Sequence, residues 1–142
     1  MVDGLIANYP EYDYLVVNDG SRDQTAALCR QHRYNLLDLS VNLGLAGAFQ
    51  SGMRYAFLHD YDCVAQLDGD GQHDPASIAA MLKTMEETKA DIVIGSRFVS
   101  EKKPFTFRMI GSRLISFMTL LTTGKTLTDP TSGLRLYNRR MI

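Results

Sequence analysis

The sequence predicts an α/β domain with a largely parallel sheet, on two observations. Short apolar runs alternate along the chain with segments of helical period, the rhythm of strand, crossover helix and returning strand. Most of those runs stop abruptly in polar, glycine-containing turns, as buried strands of such sheets do. With 142 residues and 45% hydrophobic content the chain can bury a core but is no longer than one modest domain. A single domain over 1–142 is therefore expected.

The elements follow in order. Met1 to Tyr9, with Leu5 and Ile6 apolar, reads as the tail of a helix. Tyr14 to Val17 is an apolar run cut off by Asn18-Asp19-Gly20, a buried strand ending in a turn. Ser21 is placed to cap a helix from about Asp23 to Arg30, with Ala26, Ala27 and Leu28 facing inward and Asp23 near the positive helix end. A second strand is expected over Asn35 to Leu39. Beyond Asn42-Leu43-Gly44, the stretch Ala46 to Leu58 sets Ala48, Phe49, Gly52, Met53, Ala56 and Phe57 at helical spacing. Its small residues allow close packing on a sheet. Cys63 to Leu67 is the next strand and empties into Asp68-Gly69-Asp70-Gly71-Gln72-His73-Asp74-Pro75. Pro75 suits the first turn of a helix reaching Thr88. Asp91 to Gly95 is a further buried strand, closed by Gly95-Ser96-Arg97; a polar stretch then leads to a helix over Phe107 to Thr122. Leu134 to Tyr137 begins a last strand.

Charge and cysteine usage narrow the function. Fifteen basic and sixteen acidic residues leave a net charge of −1, without the basic footprint of a nucleic-acid binder. Cys29 and Cys63 have no partners at metal-site spacing and are expected reduced and buried, which suits the cytosol. The first residues lack the basic start and long apolar run of a signal peptide, and no run of about 20 apolar residues is present to span a bilayer. Membrane contact within these residues is expected to be peripheral.

In a parallel α/β sheet, ligands bind where loops gather at the carboxyl ends of strands. Three polar turns occupy such ends: Asn18 to Ser21, Asp68 to Asp74, and Gly95 to Arg97. Asp68 and Asp70 alternate around Gly69, so two carboxylates can converge on a hard divalent cation, with water and phosphate oxygens completing its shell. The bland reading is a solvated acidic turn. A calcium EF-hand fails, because its twelfth position would be Ala79, which supplies no bidentate carboxylate. A haloacid-dehalogenase-type phosphatase, with Asp68 as nucleophile, stays open as the rival enzyme.

Five motifs in order are similar to those of family 2 glycosyltransferases with a GT-A fold, a Rossmann-like α/β architecture. They are Asn18-Asp19-Gly20-Ser21-x-Asp23; Asn42-x-Gly44-x-x-x-Ala48; Asp68-x-Asp70-x-Gln72-His73-x-Pro75; Gly95-Ser96-Arg97-Phe98; and Asp129-Pro130-Thr131-Ser132-Gly133-Leu134-Arg135. The Gln-His pair and the last segment resemble the polyprenyl-phosphate branch, and the likeness covers essentially the whole chain. It implies a metal-dependent, inverting transfer of a hexose from a UDP- or GDP-sugar to a dolichyl or undecaprenyl phosphate, at the cytoplasmic face of the membrane. It further implies that Asp19, with Gly20 and Ser21, contacts the nucleotide, and that Asp68, Asp70 and Gln72 hold Mg²⁺ or Mn²⁺ on the diphosphate. Arg97, Arg108, Ser112 and Arg135 would lie toward the acceptor phosphate. Asp70, Arg97 and Asp129 would carry the catalysis. An anionic lipid phosphate is already a nucleophile, so placement of cations matters more than a strong base.

Each assignment has a plainer alternative. The alternatives are an Asx-turn ahead of Ser21 for Asp19, a surface ion pair for Arg97, a solvated helix face for Arg108 and Ser112, and a brace before Pro130 for Asp129. His73 is read as structural. In the expected helix over Phe107 to Thr122, the stripe of Phe107, Ile110, Leu114, Phe117, Met118 and Leu121 packs in a core or lies on lipid. Family members also open with a strand carrying a Pro-x-Tyr-Asn-Glu-like sequence, absent from these residues. A gap beside the Tyr14 to Val17 strand is therefore expected, inviting self-association. A domain that binds nucleotide sugar without turnover stays open for the same reason.

Overall fold

The computed structural model describes residues 1–71, 73–95 and 132–142. The chain divides into two compact units, Met1–Asp62 together with Ile142, and Cys63–Met141. Each is described in turn.

The first unit opens with α1 (Val2–Asn8), followed by β1 (Val16–Asn18), α2 (Thr25–Gln31), β2 (Leu36–Asp38) and α3 (Gly44–Leu58). β1 and β2 pair in parallel, with Val16 opposite Leu36 and Asn18 opposite Asp38, the arrangement a crossover helix makes possible. α3 lies against β1 through its small residues. A Cβ added to Gly52 would stand 3.4 Å from Val17 Cγ2, and Met53 and Ala56 are buried.

Two expectations for this unit are corrected. Ser21 does not cap α2; its N–H donates to Asn18 Oδ1 (3.3 Å). Asp23 steadies the helix start instead, with Oδ1 accepting from Thr25 N–H (2.9 Å) and Thr25 Oγ (2.6 Å). The Thr25 hydroxyl, followed by its N–H, holds the Asp23 carboxyl below the usual range. The second correction concerns the inward faces. In α2 the buried residue is Cys29, whereas Leu28 is exposed. In α3, Phe57 is exposed. A helix of 15 residues runs about 22 Å while a strand of three spans about 10 Å, so β1 covers only part of the helix.

The second unit holds β3 (Cys63–Gln66), α4 (Ser77–Thr88), β4 (Ile92–Ile94) and β5 (Arg135–Asn138). β5 enters between β3 and β4 and is antiparallel to both, with Arg135 opposite Gln66 on one side and Ile94 on the other. β3 and β4 therefore run parallel to each other. The expectation of a largely parallel sheet misses this reversal, because an apolar run signals a buried strand but carries no direction. α4 starts where Asp74 Oδ1 accepts from Ala76 N–H (3.0 Å), with Pro75 in the turn just before it. Its Met81 and Met85 join Leu134 and Leu136 in the core, with Cys63, Ala65, Leu67, Leu82 and Val93 packed around them. Among the described residues, β1 pairs with β2 alone and β3 with β5 alone, both cysteines are free thiols, and no helix is long and apolar enough to cross a membrane. The expected helix over 107–122 lies outside the described residues.

Candidate functional site

In the first unit, the turn after β1 locks onto the start of α3. Asn18 is buried, and its Nδ2 donates to Asp38 Oδ1 (2.7 Å). Gly20 takes a φ of 64°, and a Cβ there would fall 2.7 Å from Asn42 N. Only glycine fits a left-handed residue pressed against backbone in this way. Asn42 Nδ2 donates to the Asp19 carbonyl (2.8 Å), and Asp19 Oδ1 accepts from Leu43 N–H (2.6 Å). Asp19 thus makes no Asx-turn to Ser21, a bond that Asn18 supplies; its carboxylate engages the amino end of α3. The first two sequence motifs form one interlocked corner.

In the second unit, strand directions bring three segments to one edge. The chain leaves β3 through Leu67 into Asp68 and leaves β4 at Gly95, while antiparallel β5 is entered at that same edge through Ser132, Gly133 and Leu134. Ser132 is fully buried. Its Oγ donates to the Gly95 carbonyl and accepts from Leu134 N–H (3.3 Å), while Gly95 N–H donates to the Leu134 carbonyl (2.9 Å). The two glycines mark close approaches. A Cβ on Gly95 would stand 2.7 Å from the Leu134 side chain, and one on Gly133 would overlap the Asp68 carboxylate.

Asp68 is about half exposed, and its Oδ2 lies 4.0 Å from Nε2 of His73, a buried side chain. His73, read as structural, is a buried ring that stands beside the first aspartate. Asp70 is exposed in the turn that follows. Both aspartates offer the hard oxygens a magnesium-like ion takes, and such an ion commonly uses one or two carboxylates with water and phosphate. Among the described residues, no group of three or more His, Cys, Asp or Glu is placed to hold a metal. Arg135 Nε donates to the Ser132 carbonyl (3.0 Å), so part of this guanidinium braces the segment that leads into β5. Gln72, Arg97, Arg108, Ser112 and Asp129 lie outside the described residues. Sequence reasoning quoted Gly95, Ser132 and Gly133 as motif letters without giving them roles; the signal was a serine and glycines at points where only small residues let two backbones approach.

The family described as Glycosyl transferase family 2 matches residues 1–142. The chain is 34% identical over 137 residues to an undecaprenyl-phosphate mannosyltransferase of Micrococcus luteus, covering 90% of this chain and 55% of that protein. It is 26% identical over 163 residues to a UDP-N-acetylglucosamine–dolichyl-phosphate N-acetylglucosaminyltransferase of Methanococcus voltae, covering 98% and 64%. A polyprenol monophosphomannose synthase of Mycolicibacterium smegmatis is 28% identical over 143 residues, with 94% and 53% covered. The chain spans roughly half to two thirds of the length of these curated relatives. With its ordered turns at strand ends and a family match from first residue to last, the chain belongs to glycosyl transferase family 2 and has its Rossmann-like GT-A α/β fold.

Proposed function

We propose that this chain is the donor-binding core of a glycosyltransferase that moves a hexose from a UDP- or GDP-sugar to a polyprenyl phosphate at the cytoplasmic face of the membrane. The observation that carries the reading is the crowded edge of the second unit, where Asp68 lies over Gly133 and Ser132 ties that segment to Gly95. The names of the relatives support the acceptor class, since two name an undecaprenyl or dolichyl phosphate and the third a polyprenol monophosphomannose.

In this reading Asp68 and Asp70 present carboxylates toward the donor diphosphate. A bound Mg²⁺ or Mn²⁺ would neutralise the departing nucleoside diphosphate. Gln72 is assigned to the same cation, and the Asp19 to Ser21 corner to the nucleotide. Asp19 Oδ1 is taken by Leu43 N–H, so contact with the nucleotide falls to Oδ2 or to the backbone of the turn. Arg97, Arg108, Ser112 and Arg135 are assigned to the acceptor phosphate, and Asp129 to the sugar side. The lipid phosphate oxygen attacks the anomeric carbon as the diphosphate leaves. The acceptor arrives already ionised, so the residues chiefly bind and align charge.

Titration calorimetry of UDP-glucose and GDP-mannose, with and without Mn²⁺, tests this on the chain and on Asp70→Ala. Expected is Mn²⁺-dependent binding of one nucleotide sugar that weakens about tenfold or more in the variant. Equal affinity of wild type and variant would remove the acidic turn from the donor site. Transfer of labelled sugar to a short polyprenyl phosphate then separates turnover from binding alone.

A further inference from the structure

Asp68 is the residue whose surroundings go furthest beyond this reading. Among the described residues, its carboxylate stands close to the buried His73 ring, with Nε2 4.0 Å from Oδ2, and to the backbone of Gly133, where an added Cβ would overlap both the carboxylate carbon and Oδ2. The Gly133 backbone is held through both of its neighbours. Fully buried Ser132 pins it to the end of β4 through the Gly95 carbonyl, and Leu134 is bonded on both its N–H and its carbonyl. Asp68 does have room, because its side chain is 43% exposed and swings toward solvent by changing rotamer.

From this asymmetry we infer that Gly133 is a positioning residue for Asp68: the missing side chain at 133 sets where the first carboxylate of the acidic turn stands. The segment entering β5, which resemblance assigns to the sugar and acceptor side, thereby also shapes the donor side. The inference rests on the reading of Asp68 as a donor ligand. It makes Gly133→Ala unusual among glycine substitutions, since no left-handed φ is recorded at 133. The added methyl displaces a carboxylate before it strains a backbone.

The test is a double-mutant cycle with Gly133→Ala, Asp68→Ala and the pair. Its readouts are Mn²⁺-dependent binding of UDP-glucose and GDP-mannose, and thermal unfolding. Supporting parts around a metal ligand typically carry about 10- to 100-fold in metal affinity. Gly133→Ala is therefore expected to lose about that much binding while staying folded, Asp68→Ala to lose it also, and the pair to lose no more than Asp68→Ala alone. Gly133→Ala binding like wild type while Asp68→Ala fails would overturn the inference and leave the donor-site reading intact. Asp68→Ala binding like wild type, or wild type binding neither sugar nucleotide with Mn²⁺, would overturn the reading and the inference with it. Should Gly133→Ala not fold, the pair, freed of the carboxylate, is expected to fold; failure of both would also sink the inference.

Discussion

Ser132→Ala probes the joint that holds the edge of the second unit together. Ser132 is fully buried, and its hydroxyl serves two backbone groups, donating to the Gly95 carbonyl and accepting from Leu134 N–H. The alanine fits the same space but leaves both groups without that partner. Leu134 is buried, and its N–H left unsatisfied costs about 1–3 kcal/mol. The bond to the half-buried Gly95 carbonyl adds about 0.5 kcal/mol. The expected loss is then about 1.5–3.5 kcal/mol. With a urea dependence of about 2 kcal/mol per molar for a domain of this size, the unfolding midpoint followed by far-ultraviolet circular dichroism falls by about 0.8–1.8 M. A midpoint within about 0.2 M of wild type would refute the argument that this hydroxyl is the pin between the end of β4 and the start of β5.

Two further outcomes test other levels of the structure. Leu136, 2% exposed in the central strand β5, should cost about 3 kcal/mol as Leu136→Ala through lost burial and the cavity left behind; a shift below about 1 kcal/mol in urea unfolding would mean that the core of the second unit is elsewhere. In the first unit, Tyr34 Oη donates to Asp3 Oδ1 (2.5 Å), and this bond pushes the phenol up from 10.0 to about 12. The fold then keeps a proton that the unfolded chain releases above pH 10.0, so the stability from this pair is complete below about pH 10 and disappears as pH rises through about 12. Ultraviolet phenolate titration should show a late component that Tyr34→Phe removes, and superimposable curves would contradict it. Tyr61, whose hydroxyl donates to Asp13 and is raised for that reason, remains in the variant as an internal reference.

Much of the architecture was legible because patterning is a local property. The runs around Val16, Leu36, Val64 and Val93 announced strands, since apolar residues bounded by turn formers have few other uses. Gly52 and Ala56 announced the close face of α3, where small side chains meet a sheet. What failed locally failed for tertiary reasons. Phe57 and Leu28 look like core residues, and only the shortness of β1 and the burial of Cys29 on the inner face of α2 decide that they face outward. Ser21 looks like a cap, and only the structure shows that α2 starts later, at Thr25, where Asp23 accepts from the helix start.

The sequence by itself determined the alternation of strands and helices, the acidic turn of Asp68 and Asp70, and the family motifs, because these depend on residue type and short spacing. The tertiary structure alone decided that β5 runs backward between β3 and β4. That reversal, a consequence of backbone pairing between residues some 70 positions apart such as Gln66 and Arg135, carries Ser132 to Gly95 and lays Asp68 over Gly133. Contacts of such sequence separation arise from ladder hydrogen bonds and burial of Leu136 with Met81 and Met85, and no short window of residues encodes them.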